Sequence, residues 1–458
     1  MKHKNLILAF FICVSYFLLF WTVHFSFQNS KVYYRFAPTV INYDNCNKLI
    51  YPDTVPFRPI AAKALEGNWD ARHYYRIKKT LYKIDEVGQD YIFGFFPLFS
   101  LCWKFSHLSS TGIIVLNFLF LSISLCILSF IYAKEKLLKS IVLVFTLPIF
   151  TVYFMPYTEA VFALTFSVAI LGVFLKNRNL FFIGLFLFAM SRPSIIIVLL
   201  TLLCLEFILF LKDRNIRESL KRFLWHITPI VLGTLSVSAI QLYFNSGAVF
   251  KFVDVQKYWG TKFQIPNVIF DWSFEGFGMN IWAMFFVYVF GIPELFRLCF
   301  IAKKEEVAEM NYWYFFSWIY LIGITTFVLL FQGGNLHSLF RYTLCTPFFF
   351  IVFFNFFNQA RLISFYKIAL FFIIQFICSY LFMRNQAFSP QLDFAKTGYF
   401  VLVSAAFIII KFRGLDFKID NKYGKVFSYS FYGIILLLSI FWNTYLLNMF
   451  ITNAWICL

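Results

Sequence analysis

Four ionisable side chains stand out in a chain that is otherwise mostly apolar. Asp70 lies in "GNWDARHYYRIKK" (residues 67–79), Glu159 in "MPYTEAVF", Arg192 in "SRPS" and Arg341 in "HSLFRYTLCTP". A carboxylate set against an apolar wall gains proton affinity, so Asp70 reads as a general base with a raised pKa, suited to taking a proton from a hydroxyl. A lone guanidinium at the rim of an apolar region can hold a phosphate through two parallel hydrogen bonds. Acid and cation together can activate a hydroxyl and stabilise a departing phosphate.

Each residue also has a plainer reading. Asp70 can pair with Arg72 or Arg76 in an ordered loop. Glu159 closely follows Pro156, where a helix N-terminus favours negative charge, although an ionisable group at the mouth of an apolar helix is costly and by default functional. Arg192, which precedes Pro193, and Arg341 can extend to lipid headgroups. Trp259 and Gly260, in "QKYWGTKFQIP", suit either an interfacial anchor with a turn or the floor of a sugar pocket. His73 and His337 are of metal-ligand type but sit in no ligand pattern, so no metal is expected. The nine cysteines lie mostly inside apolar runs without CxxC spacing, which excludes a disulfide framework and a zinc site.

The elements that must position these groups are membrane spans. The chain has 458 residues, 61% of them apolar and 23% aromatic, with runs such as "LILAFFICVSYFLLFW" that satisfy their own backbone hydrogen bonds in lipid only as helices. At about 20 residues per crossing, the pattern predicts an all-α polytopic integral membrane protein with about 11–13 transmembrane helices. They fall near 6–27, 111–133, 141–155, 157–175, 180–190, 194–211, 223–244, 281–300, 312–331, 342–357, 367–383, 399–410 and 427–450. The first run extends through Trp21 with no small-residue cleavage site after it, so it is read as a span and not a signal peptide. Two spans are short or interrupted, 180–190 by its length and 141–155 by Pro148. They are expected to be tilted, broken elements covered by neighbours, or parts of re-entrant pairs.

The formal net charge of +18 is explained by cytoplasmic loops, not by nucleic acid. Most short-loop Lys and Arg lie in "MKHK", "KEKLLK", "KNRN", "KDRNIRESLKR", "KKEE", "ARLISFYK" and "KFRGLDFKIDNKYGK", which sets these loops and the N-terminus inside. Asp70, Glu159, Arg192, Trp259 and Arg341 then all fall on the outer face. Residues 28–110 form the first outer loop, with "FGFFPLFSLCWKF" (93–105) expected as an aromatic helix at the outer interface. No repeat or linker divides residues 1–458, which read as one membrane domain.

Taken in order, these stretches resemble the PIG-V family, the second mannosyltransferase of glycosylphosphatidylinositol synthesis and its bacterial relatives. The likeness rests on Trp69, Asp70 and Ala71 followed by "HYYRI", on "FGFFPLFSL", on "YTEAVFALTF" and on "SRPS", with looser agreement in "YWGTKFQIP" and "RYTLCTP". It runs from about residue 67 to 350. Thr158 stands where the family has Ser, and Pro193 follows the arginine. The resemblance implies a GT-C type glycosyltransferase moving a sugar, mannose in the family, from a polyprenyl-phosphate donor to a lipid-linked or glycan acceptor, with inversion. It implies Asp70 as catalytic base with Glu159 in support, and Arg192 and Arg341 on the donor phosphate; Trp69, His73, Tyr74, Trp259 and Tyr342 are the further substrate-binding candidates. No cofactor beyond the lipid-linked donor is implied, and a divalent metal is unsupported.

Two other classes compete. A transporter or flippase of lipid-linked sugars would carry ionisable or helix-breaking residues near the midplane in matching halves, a symmetry absent from this sequence. An O-antigen ligase or polymerase would place its largest outer loop late in the chain, whereas here it comes first. The ending "AWICL", which carries no ER-retrieval signal, and the short outer loops favour a bacterial cytoplasmic membrane with an outward-facing site. An ER membrane is the eukaryotic equivalent.

Overall fold

Every long apolar run within the described residues is helical, as it must be where a backbone has only hydrocarbon around it. The computed structural model describes residues 2–27, 62–83, 90–147, 149–244, 246–259, 262–264, 279–302, 309–332, 336, 338–359 and 422–451. The expected spans at 367–383 and 399–410 lie outside them, as do His337 and Gly260. Among the described residues there is no strand.

The helices are α1 (Lys2–Phe27), α2 (Ala62–Gly67), α3 (Trp69–Thr80), α4 (Leu98–Phe105), α5 (Ser110–Tyr132), α6 (Leu137–Val144), α7 (Glu159–Phe174) and α8 (Arg178–Ala189). They continue with α9 (Ile195–Asp213), α10 (Ile216–Tyr243), α11 (Lys251–Asp254), α12 (Met279–Ala302), α13 (Glu309–Phe331), α14 (Leu339–Thr343), α15 (Pro347–Gln359) and α16 (Lys422–Ile451). Four of the described helices are long and apolar enough to cross a membrane, over Lys4–Ser26, Ser110–Tyr132, Ile216–Tyr243 and Asn311–Phe331. Shorter apolar helices, among them Glu159–Phe174 and Arg178–Ala189, accompany them. This is the composition of an α-helical membrane protein.

The short spans have a physical explanation. Helix α8 is about 18 Å long at 1.5 Å per residue, less than the hydrocarbon thickness, and it is clasped between α7 and α10. Three glycines permit the close approach. A Cβ on Gly172 would lie 2.4 Å from the Phe181 backbone nitrogen, one on Gly184 2.4 Å from that of Ala169, and one on Gly233 2.4 Å from the Phe186 carbonyl oxygen. Small residues bring helix backbones together where no hydrophobic force separates protein from lipid. The 141–155 run is a broken element: α6 stops at Val144, and a 3-10 turn, Phe150–Phe154, follows. Its rings pack on α1, with Phe154 stacked on Phe20 at 3.7 Å and Phe145 on Tyr16 at 4.1 Å.

The 93–105 stretch departs from the expected interfacial helix. It begins as a 3-10 turn, Asp90–Gly94, and becomes α-helical only after Pro97. All its rings but Phe105, which is 72% exposed, face protein: Phe99 and Trp103 are fully buried, and Phe99 meets Tyr74 of α3 edge-on at 5.3 Å.

Two carboxylate clusters fix the start of α13. Tyr312 donates to Glu206 at 2.8 Å, and Arg222 donates from Nε to both oxygens of the same carboxylate at 2.9 Å. Two residues on, Tyr314 donates to Glu294 at 2.8 Å, and that carboxylate also accepts from Arg297. Buried charges need such partners, and these pairs tie α13 to α9, α10 and α12.

Candidate active site

Asp70 sits in the first turn of α3, a helix that begins under strain. Trp69, at its head, has a left-handed φ of 47°, an outlier for a bulky residue. The preceding residue, Asn68, is anchored by a hydrogen bond from its side chain to the Phe450 carbonyl at 2.7 Å. Ala71, Tyr74 and Ile77 form the buried face of the helix. Ser100 of α4 donates to the Tyr74 carbonyl at 2.8 Å, so the aromatic stretch serves as a platform for α3.

Glu159 opens α7, and its approach is held from α5. Asn117, a lone amide in an apolar helix, donates from Nδ2 to the carbonyls of Met155 at 2.9 Å and Tyr157 at 3.0 Å. Thr158 donates to the Ser191 carbonyl at 2.9 Å, which fixes the head of α7 against the turn that carries Arg192. Arg341 rides on the single turn α14, where the Phe340 N–H donates to Asn280 at 2.9 Å.

These four segments converge on one cluster. Arg341 Nη1 donates to Asp70 Oδ2 at 3.0 Å, while its Nε and Nη2 approach Glu159 Oε1 at 3.0 and 2.9 Å. Arg192 Nη1 lies 3.5 Å from the same Glu159 oxygen. Glu159 has no exposure to solvent, Arg341 has 8%, and the Asp70 side chain keeps 35%. Three aromatic faces surround the cations: Tyr157 at 4.6 Å from the Arg341 guanidinium, with Phe162 and Tyr342 at 5.5 and 5.3 Å from that of Arg192. Arg341 therefore serves both carboxylates at once. Arg192 makes one long ionic contact among the described residues and lies between two rings.

Two expectations are corrected. Asp70 pairs with neither Arg72 nor Arg76; its partner is Arg341, and Arg72 donates to His73 instead. Its pKa is not raised. Burial works against the charge, but the adjacent Arg341 guanidinium, by charge and hydrogen bond, holds the carboxyl below the usual carboxylate range. Glu159 does lie in the first turn of its helix, yet its carboxylate is directed to Arg341.

Of the remaining candidates, His73, Tyr74 and Tyr342 lie beside this cluster. His73 stacks on Phe95 at 4.5 Å, and burial lowers its pKa to about 4, so it is neutral near pH 7. Tyr74 is buried against Phe95 and Phe99, and burial, with the Glu159 and Asp70 carboxylates adding to it, keeps its phenol protonated. Tyr342 shelters Arg192. Trp69 packs partly against the main core. Trp259 ends a 3-10 turn, Val255–Trp259, and its side chain lies outside the described residues. No His, Cys, Asp and Glu grouping suited to a metal occurs among the described residues.

Sequence reasoning overlooked Asn117, Thr158 and Tyr157 as the groups that position the acid. The signal for Asn117 was available, since a single amide inside "IIVLNFLF" has to find backbone partners when buried. No protein-family model matches the sequence, and neither a curated protein nor a solved structure is detectably similar to it.

Proposed function

We propose that the protein is a membrane glycosyltransferase that moves a sugar from a polyprenyl-phosphate donor to a hydroxyl of a lipid-linked or glycan acceptor, at the outward end of its helices. The observation that carries this reading is the bridge made by Arg341 between half-exposed Asp70 and buried Glu159, with Arg192 alongside. Such a donor supplies its own leaving group. What the protein must add is a base for the acceptor and positive charge for the phosphate, in a place where apolar walls limit water.

In the proposed step, the acceptor oxygen forms its bond to the anomeric carbon as its proton passes to the Asp70 carboxylate. The bond from that carbon to the phosphate oxygen breaks, and its electrons leave with the phosphate, towards Arg192 and Arg341. A single displacement of this kind inverts the anomeric centre.

The lowered proton affinity of Asp70 has a role in this scheme. Paired with Arg341, the carboxylate is fully ionised but a weak base. A phosphodiester that draws on Arg341 and Arg192 brings one negative charge into a cluster of two carboxylates and two guanidiniums, and it loosens the hold on Asp70. Both changes raise the proton affinity of Asp70 when donor is present, the time at which a base is needed. Glu159 retains enough charge to keep Arg341 in place.

By its resemblance the sugar is mannose; the short outer loops favour a bacterial cytoplasmic membrane, and the distribution of Lys and Arg a site facing outward. The test is incubation of purified protein with radiolabelled polyprenyl-phosphate mannose and a membrane lipid extract, followed by anomer analysis of the product. The reading expects transfer with inversion. Retention of configuration would contradict direct displacement, and movement of intact donor across a vesicle bilayer without transfer would favour the flippase.

A further inference from the structure

The end of the α7–α8 hairpin remote from Asp70 carries a second site. Helix α7 runs from Glu159 to Phe174 and α8 returns from Arg178 towards Arg192, so their connection lies at the opposite end from the carboxylate cluster. Between this connection and the first turns of α10 is a cavity of about 830 Å³ whose lining includes Lys176, Arg178, Glu218, Lys221, Arg222 and Trp225. The two loops meeting there, "KNRN" and "KDRNIRESLKR", are ones that the distribution of Lys and Arg assigns to a common face.

The cations of this cavity differ in status. Arg222 is committed to Glu206, which Tyr312 also holds. Lys176, Arg178 and Lys221 are exposed and pair with no carboxylate among the described residues, and Glu218 is the single acid in the lining. Beside them the lining is apolar: Leu224 and Trp225 follow Lys221 by three and four residues on the same face of α10, Trp225 stacks on buried Phe181 with ring planes 16° apart, and Leu224 is 51% exposed. Leu224 also ends an outward stripe at four-residue spacing, with Ile216 69% and Leu220 54% exposed. This stripe lies on the N-terminal part of α10, a helix long and apolar enough to cross a membrane.

We propose that this cavity binds an anionic phospholipid of the leaflet opposite the Asp70 cluster, with its headgroup phosphate on Lys176, Arg178 and Lys221 and an acyl chain along Leu224 and Trp225. Basic pockets between helices at the membrane surface take anionic headgroups, and the exposed apolar side chains beside the cations suit a lipid with an acyl chain better than a free anion. The assignment is independent of the glycosyl-transfer reading.

The test is thermal unfolding and native mass spectrometry of the detergent-purified full chain, titrated with phosphatidylglycerol, phosphatidylcholine, a polyprenyl phosphate or inorganic phosphate. Wild type is expected to bind and be stabilised by phosphatidylglycerol over the other three. Lys176→Gln/Arg178→Gln/Lys221→Gln, all at exposed positions, is expected to lose roughly a hundredfold in affinity, at about fivefold for each cation near the surface. Lys134→Gln/Lys139→Gln, altering two exposed cations of "KEKLLK" on the same face, is expected to bind like wild type. Equal binding of phosphatidylcholine or inorganic phosphate, preference for the polyprenyl phosphate, undiminished binding by the triple variant, or equal loss in the control variant would each overturn the proposal.

Discussion

Arg341 reaches back 271 positions along the sequence to donate to Asp70 at 3.0 Å, and the same guanidinium holds buried Glu159 at 2.9 Å. The loop acid is thereby coupled to the head of a buried helix through one side chain. Arg341 is both a structural keystone and, in the proposed reaction, a phosphate ligand, and these two roles separate under substitution.

Arg341→Ala strips a fully buried carboxylate of its closest partner. Removing one member of a buried pair costs about 3–5 kcal/mol, so thermal unfolding in detergent is expected to show a strongly destabilised protein. Arg341→Lys keeps the charge but not the fork that serves both carboxylates. It is expected to fold with a smaller loss of stability and to bind donor poorly, visible as a rise in KM.

Arg192→Gln is expected to behave differently. The wild-type side chain makes one 3.5 Å ionic contact with Glu159, so its loss should change the unfolding temperature less than Arg341→Ala does, while donor-dependent transfer falls. A large loss of stability with unchanged transfer would make Arg192 a packing residue.

Gly184→Leu tests the clasp that sets Glu159 and Arg192 side by side. A Cβ there would meet the Ala169 backbone at 2.4 Å, and overpacking typically costs about 1–3 kcal/mol. Size-exclusion chromatography should show reduced monodisperse protein. Gly433→Ala, with nothing within 4 Å of the added atom, should match wild type.

The pH response follows from two depressed pKa values. Asp70, held low by Arg341 against burial, contributes stability that is present above the ordinary carboxylate range and is lost as pH falls through its depressed value. It is therefore constant through neutral pH. His73, lowered from 6.5 to about 4 by burial, contributes stability that is complete above pH 6.5 and declines as pH falls from there towards 4. Unfolding temperatures of wild type and His73→Phe, compared across this interval, should diverge, with the wild type losing more.

Much of this arrangement was legible in the sequence because hydrocarbon leaves a chain few choices. Apolar run length located α5, α7, α8, α9, α12 and α13 to within a few residues, and loop charge grouped Asp70, Glu159, Arg192 and Arg341 at one end, where they meet. Partner choice was not legible. Nothing local distinguishes Arg72, two positions from Asp70, from Arg341, because the decision is made by tertiary placement of α14 against α3. The proton affinity of Asp70 was misjudged for the same reason, since burial was foreseen and the guanidinium beside the carboxylate was not. The break in the 141–155 run was legible from Pro148, whereas the 3-10 turn Asp90–Gly94 ahead of Pro97 was not, because the apolar pattern alone does not encode it.

The most direct measurement compares wild type with Asp70→Asn in transfer from polyprenyl-phosphate mannose, at equal amounts of folded protein. The substitution is nearly isosteric and leaves Arg341 on Glu159, so the fold should persist. Loss of a general base typically costs about 10²–10⁴ in rate, and a fall of that size with an unfolding temperature close to that of wild type is the predicted result. Transfer by Asp70→Asn at the wild-type rate would contradict Asp70 as the base.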